Sequence, residues 1–154
     1  MIDTPQMVQT KELATAVIRF RIKRPEMMTV FGPAVQELLD VLKAQGVTPA
    51  SAVFAFHHSM PEGEFDFEMG FVVGAAVKGA GRVVASKLPA TKVARTVYRG
   101  GYEGLPAAWG EFTAWMKKEG VKQGEGLWEL YDKGPQTTPD ATKWETVLSK
   151  VVVG

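Results

Sequence analysis

The chain has 154 residues, of which 45% are hydrophobic and 23% are charged, and 18 basic against 17 acidic side chains leave a net charge of +1. This composition is typical of one globular domain, or of two small units that share a core. No run of like charge indicates a nucleic-acid or anionic-membrane surface. The sequence contains no cysteine, which excludes disulfides, thiol nucleophiles and cysteine-bound metals.

The sequence predicts neither an N-terminal secretory signal nor a membrane-spanning segment. Residues 1–12 lack the apolar core of a secretory signal, and no segment reaches the roughly 20 apolar residues that span a bilayer. We therefore expect a cytoplasmic protein that does not associate with membranes.

The first half of the chain predicts a strand, a helix and a hairpin. Residues 14–22 end in alternating apolar and arginine side chains, as in a strand with one wet face. The helix that follows has Pro33 in an early turn and Gly46 at its C-terminal cap. Its apolar stripe at positions i, i+3, i+4 and i+7 consists of Val35, Leu38, Leu39 and Leu42. Residues 53–57 and 65–71 predict two strands around the turn Pro61-Glu62-Gly63.

The second half predicts the same order of elements. Residues 92–99 read as a strand, Gly120 as a helix cap, and two further strands follow. The helix stripe between them consists of Leu105, Ala108, Trp109, Phe112, Trp115 and Met116. Residues 82–88 predict a linker strand between the halves.

The two halves are related by an internal repeat. Gly46-Val47 recurs as Gly120-Val121, and residues 54–57 recur as residues 128–131, in both cases 74 positions later (120 − 46 and 128 − 54). The offset before the helix is smaller, because the second half carries about seven extra residues around residues 100–104. We predict an α+β fold, a single domain over residues 1–154. It contains two pseudo-symmetric β-α-β-β units, residues 14–78 and 82–152, with antiparallel strands, one long helix per unit and a central ligand groove.

The alternation of the strands predicts which side chains line that groove. The apolar face of residues 65–71 must pack on the first helix, which leaves Asp66 and Glu68 on the opposite face. We expect Phe54 and Phe56 to face the first helix, and Trp128 and Leu130 the second. The predicted lining of the groove is then Val53, Ala55, His57, Glu68, Leu127, Glu129 and Tyr131.

An acidic residue lies inside the segment Leu127-Trp128-Glu129-Leu130-Tyr131, which is apolar on both faces. An unpartnered carboxylate there costs several kcal/mol, roughly, to bury. We interpret Glu129 as a site for cation recognition or proton transfer; the alternative is an internal salt bridge to an arginine. Glu68 is a weaker candidate, since it is also compatible with a solvated strand position.

Aromatic residues near these acids are candidate ligand contacts. Trp109 follows the glycine-rich insertion, so its ring has room to overhang the groove, although helix packing is the simpler explanation. Tyr98, Tyr102 and Tyr131 offer cation-π faces and hydroxyl groups; each also suits a half-buried strand or turn.

No cofactor or metal is predicted. His57 and His58 are neighbours on a strand, so they point to opposite faces and cannot bind one metal together. The glycine-rich segments 79–81 and 100–104 lack phosphate-loop and dinucleotide patterns.

Three segments resemble the GyrI-like small-molecule-binding domains, which also form the effector-binding half of many multidrug-sensing transcription regulators. They are residues 98–109, residues 67–73 and residues 128–131. The resemblance implies a tandem β-α-β-β fold and a groove in which the carboxylate of Glu129 meets lipophilic, often cationic ligands. His57 departs from the tyrosine usual in that family, and Gly101 from a frequent proline.

The resemblance leaves three functions open. The first is capture of lipophilic or cationic compounds. The second is hydrolytic opening of cyclopropane-containing natural products, with Glu129 and Glu68 as catalytic acid and base. The third is modulation of a larger partner such as DNA gyrase through the protein surface. Because the chain has no room for a helix-turn-helix domain, we expect no direct DNA recognition.

Overall fold

The computed structural model describes residues 2–59, 63–135 and 137–153 of the chain. It has an α+β fold in which the helices are α1 (Met27–Ala44) and α2 (Leu105–Lys118). The strands are β1 (Gln6–Gln9), β2 (Leu13–Lys23), β3 (Phe54–Ser59), β4 (Glu64–Val72), β5 (Val83–Leu88), β6 (Lys92–Arg99), β7 (Lys122–Lys133) and β8 (Glu145–Val153). All described strand pairs are antiparallel, so the predicted fold class is confirmed.

The chain divides into two compact units. One unit runs from Lys11 to Ala90, and the other combines the residues up to Thr10 with the chain from Thr91 onward. The first unit has the strand order β3-β4-β2-β5 and the second has β1-β6-β8-β7. Each unit is thus a β-α-β-β repeat with one additional edge strand.

The two edge strands depart from the sequence interpretation. We expected residues 82–88 to link the halves and to open the second unit, but β5 pairs with β2 along its length. The second repeat therefore begins at Thr91 and not at residue 82. Strand β1 pairs with β6 and was not predicted, because its four residues are mostly exposed and show no apolar alternation.

Helix α1 covers the sheet of the first unit with the predicted stripe. Leu38 and Leu42 are buried, whereas Leu39 lies at the edge of the stripe and is 36% exposed. The helix begins at Met27, so Pro33 lies inside it, and its predicted place in an early turn is wrong. Gly46 has φ of 69°, which confirms it at the C-terminal end of the helix.

Register shows which face of the first sheet is turned towards α1. Phe20 stacks on Phe67 with ring centroids 5.4 Å apart. Arg82, held by Glu37 of α1, lies over the ring of Phe20. The apolar side chains of β4 therefore face the helix, as predicted, and Asp66 and Glu68 face away.

The predicted faces of β3 are wrong. Ala55 lies opposite Met69 and His57 opposite Phe67, so both share the face that packs on α1. Phe56 lies opposite Glu68, on the other face. The predicted turn at Pro61 and Glu62 lies outside the described residues.

Helix α2 forms the core of the second unit. Ala108, Phe112 and Met116 are buried against Tyr98 and Leu148 of the sheet, with Trp109 and Trp115 packed at the margin. Gly120 has φ of 70°, as expected for the residue that ends the helix. In the described part of the chain, neither helix is both long and apolar enough to cross a membrane.

Gly70 provides a test of the register between β2 and β4. A Cβ atom at Gly70 would lie 1.9 Å from the carbonyl oxygen of Ala16. We predict that Gly70→Ala lowers the free energy of unfolding by about 2 kcal/mol or more, because the two backbones must separate. Gly110→Ala is the control: nothing lies within 4 Å of its Cβ, and we expect a gain of about 1 kcal/mol from helix propensity. Urea unfolding measures both, and equal effects would contradict the register.

Candidate functional site

Glu129 lies on the face of β7 that packs on α2. It is opposite Leu148, which belongs to the core beneath that helix. Trp128 is opposite Ser149, on the other face of the sheet. The expectation that Trp128 and Leu130 face the helix, leaving Glu129 and Tyr131 on the far side, is therefore wrong.

Two neutral donors hold the carboxylate of Glu129. The indole Nε1 of Trp109 donates to Oε2 at 2.6 Å, and the Tyr131 hydroxyl donates to Oε1 at 2.7 Å. Tyr131 reaches it because residues two apart on a strand share a face. Trp109 reaches it from α2, which starts at Leu105 directly after the glycine-rich insertion.

Aromatic rings extend from this carboxylate. Tyr102 meets Tyr131 edge to face with ring centroids 5.4 Å apart, and it packs on Trp144 at 4.8 Å. The indole of Trp144 donates to the carbonyl oxygen of Thr138 at 2.6 Å, which fixes that ring. We call Glu129 with Tyr102, Trp109, Tyr131 and Trp144 the aromatic site; all five residues belong to one unit.

Burial controls the electrostatics of the aromatic site. Glu129 is 9% exposed, and desolvation raises the pKa of its carboxyl although the two hydrogen bonds lower it in part. Burial also raises the pKa of Tyr131, with the charge of Glu129 adding to the effect. Among the described residues, no cationic side chain lies within salt-bridge distance of Glu129. The alternative of an internal arginine pair is thereby excluded for that part of the chain.

Tyr98 and Leu127 lie beside the aromatic site with different roles. Tyr98 is buried in the core of α2, and its hydroxyl donates to the carbonyl oxygen of Gly101 at 2.7 Å. That bond fixes the insertion, and a Cβ at Gly104 would lie 2.0 Å from the same hydroxyl. Leu127 is half-buried on the face of Glu129 and adds apolar surface.

The predicted site residues of the first unit do not share one face. Ala55 and His57 face α1, whereas Glu68 faces away and pairs with Nε2 of His58. His58 also contacts the ring of Phe56 at 4.8 Å between centroids. The register therefore separates Glu68 from Ala55 and His57, which the sequence interpretation placed side by side.

His57 is a core residue in the first unit. Its ring stacks on Phe67 and meets the edge of Phe65, both at 5.1 Å between centroids. Burial, followed by the charge of Arg24, lowers the pKa of His57 to about 4. The imidazole is therefore neutral at physiological pH, and in the described residues its Nδ1 has no hydrogen-bond partner.

Outside the aromatic site, the described residues lack a metal-binding cluster but surround a shallow cavity. Within the described ranges no group of three or more histidine, cysteine or acidic side chains could hold a metal ion. A shallow apolar cavity of about 420 Å³ lies at the C-terminal end of α1, next to Leu39, Lys43 and Pro49. It contains none of the predicted site residues.

A family model described as the GyrI-like small molecule binding domain matches residues 3–148. The chain belongs to the GyrI-like family. No curated protein sequence matches this GyrI-like domain.

Solved structures share its fold. The C-terminal domain of EcmrR is 20% identical with a TM-score of 0.83, and the similarity covers 97% of both chains. The GyrI-like domain spans 57% of the EcmrR chain seen in complex with DNA. SAV2435 bound to tetraphenylphosphonium is 13% identical with a TM-score of 0.73, covering 99% of this chain and 95% of that one. A hydrolase from Listeria innocua is 12% identical with a TM-score of 0.64, covering 97% and 91%.

Sequence reasoning missed two residues of potential importance in the GyrI-like domain. Trp144 directly precedes β8 and follows a long loop, and this position is a signal from which it could have been found. His58 was judged only as a metal ligand. Its alternation with Phe56 and Glu68 across the β3-β4 hairpin predicts the contact that the structure shows.

The raised pKa of Glu129 has a consequence for stability. A carboxyl whose native pKa lies above its unfolded value stabilises the fold at low pH and loses that contribution as pH rises through the native pKa. We predict that the free energy of unfolding of Glu129→Gln, relative to wild type, rises as the pH is increased from 4 to 8. Chemical denaturation at stepped pH measures it. Glu111→Gln, at an exposed position of α2, is the matched control, and parallel curves for wild type and Glu129→Gln would contradict the assignment.

Proposed function

We propose that this GyrI-like small-molecule-binding domain is a cytoplasmic protein that captures lipophilic cations in the aromatic site. The carboxylate of Glu129 carries the proposal, because it is buried among aromatic rings and, within the described residues, is held by neutral donors only. A bound cation would supply the opposite charge that the described protein groups do not supply.

The hydrogen bonds favour this use of the carboxylate. The hydrogen bonds from Trp109 and Tyr131 orient the two carboxylate oxygens of Glu129. Both donors are neutral, so they leave the negative charge of the carboxylate uncompensated. A cation that enters loses its hydration, and in the low-dielectric interior its attraction to the fixed carboxylate offsets that loss only when the geometry is good. Preorganised donors reduce the cost of achieving that geometry.

The rings supply the second part of the binding energy. Aromatic faces attract cations by about 0.5–2 kcal/mol each and provide apolar contact for a lipophilic body. Tyr102, Trp109 and Trp144 are each half-buried, so part of each side chain is open to contact with a ligand, whereas Tyr131 lies deeper. Leu127 would extend the apolar wall.

Solved relatives support the class of ligand. SAV2435, which shares this fold, was solved with tetraphenylphosphonium, a lipophilic cation that has no hydrogen-bonding group. We take the same compound as the probe for the aromatic site.

The charge test uses two ions of the same shape. We predict that tetraphenylphosphonium raises the melting temperature of the wild-type protein and that tetraphenylborate, its anionic counterpart, does not. Ligand at 100 times its Kd stabilises by about 2.7 kcal/mol, and Glu129→Gln should lose most of this gain. Because binding requires the ionised carboxylate, the gain should also grow as pH rises through the native pKa of Glu129.

Equal stabilisation by the two ions, or a full response in Glu129→Gln, would contradict cation capture. Glu111→Gln again serves as the control for a change of one surface charge. Melting is monitored at two protein concentrations, so that ligand-induced aggregation is recognised.

Hydrolysis is a second candidate, favoured by the raised pKa of Glu129 and by the hydrolase from Listeria innocua that shares the fold. In a spirocyclopropane dienone, water would bond to a ring carbon while the ring C–C bond breaks and the dienone becomes a phenol. Protonated Glu129 would give its proton to the developing phenol oxygen and recover one from the water. Glu68 is a poorer catalytic candidate than the sequence suggested, because its carboxylate is already paired with Nε2 of His58.

We predict that any such turnover falls by at least about 100-fold in Glu129→Gln, the usual scale for a general acid. Mass spectrometry of a spirocyclopropane dienone, which gains 18 Da on opening, measures the rate. Glu68→Gln is the matched comparison and should keep the rate. Undiminished turnover in Glu129→Gln would remove this residue from the reaction.

A further inference from the structure

One hydrogen-bonding group in the aromatic site is unused. The hydroxyl oxygen of Tyr102 is buried and, among the described residues, has no hydrogen-bond partner. Buried polar groups are usually paired, and an unpaired one destabilises a fold. An exception inside a binding site suggests a group that is kept for a ligand.

The position of Tyr102 brings this hydroxyl into the surroundings of Glu129. The ring of Tyr102 lies against Tyr131, whose own hydroxyl donates to Glu129. Burial raises the pKa of Tyr102, and the carboxylate of Glu129 raises it further. The phenol is therefore neutral, and its oxygen remains available to accept a hydrogen bond.

Glu129 also has unused hydrogen-bonding capacity. Each of its oxygens accepts one described side-chain hydrogen bond, from Trp109 or Tyr131, although a carboxylate has about four acceptor positions. Thr146, two residues before Leu148 on the face that meets Glu129, has a fully buried hydroxyl without a partner in the described chain. Acceptors thus outnumber the donors that the described residues bring to this face.

Resting on the proposed function, we propose that the aromatic site is specific for protonated primary and secondary amines on an aromatic body, and that Tyr102 determines this specificity. The N–H groups of such a cation would donate to the carboxylate of Glu129 and to the hydroxyl oxygen of Tyr102. A quaternary ammonium or a phosphonium satisfies the charge but leaves those acceptors unpaired. It should therefore bind, and bind more weakly.

The experiment compares 2-naphthylmethylammonium with its N,N,N-trimethyl derivative, which has the same ring and charge but no N–H group. Isothermal titration calorimetry at pH 8 gives the affinity of each for the intact chain. We expect wild type to bind the primary amine about tenfold or more tightly, the scale of a hydrogen bond to a charged group. In Tyr102→Phe, which keeps the ring, the ratio of the two affinities should fall towards 1.

The outcomes separate this inference from the proposed function. Equal affinities in wild type would overturn the amine specificity and leave cation capture standing. No binding of either compound would overturn both. A ratio of the two affinities in Tyr102→Phe that equals the wild-type ratio would overturn the role of Tyr102.

Two further measurements keep the inference testable if the variant is affected in folding. Removing an unpaired buried hydroxyl should leave the melting temperature of Tyr102→Phe unchanged or higher, and a large decrease would show that the hydroxyl has a structural partner and overturn the premise. In wild type alone, affinity should fall along the N-methyl, N,N-dimethyl and trimethyl series as N–H groups are lost. A flat or rising series would overturn the specificity.

Discussion

The site depends on a carboxylate that is buried beneath a helix and that, in the described part of the chain, accepts hydrogen bonds from neutral donors only. Placing Glu129 there costs several kcal/mol, roughly, if it is ionised. Trp109 and Tyr131 offset part of that cost by hydrogen bonding to its two oxygens. The remaining charge makes the site receptive either to a proton or to an external cation, and these two must compete. Binding and titration are therefore two measurements of the same property.

The repeat makes the placement of this charge informative. Ala55 and His57 occupy in the first unit the positions that Glu129 and Tyr131 occupy in the second, and they also face the helix of their unit. There the interior is filled by stacked rings and an uncharged imidazole. The same backbone arrangement thus serves core packing in one unit and presents a charged site in the other.

Sequence patterns predicted the order of the repeated elements, the C-terminal ends of the helices and the burial of Glu129, since these depend on local periodicity and on glycine caps such as Gly46 and Gly120. They failed on the faces of β3 and β7. Both strands are apolar on each side, so alternation could not show which side meets the helix, and only pairing with β4 and β8 decides it. In β4, by contrast, apolar and acidic side chains alternate, so the sequence showed which face meets the helix and the orientation of this strand was predicted correctly. Strand β1 and the partner of β5 depend on long-range pairing, which local patterns do not contain.

The central claim is that Glu129 exchanges a proton for a cation, and carboxyl-carbon NMR of the glutamate side chains tests it most directly. The signal of Glu129, assigned by its loss in Glu129→Gln, would be titrated in the free protein and in the presence of saturating tetraphenylphosphonium. The account predicts a pKa above the ordinary glutamate value in the free protein and a clear decrease when the cation is bound. An ordinary or depressed pKa in the free protein, or a pKa that does not respond to the cation, would contradict it.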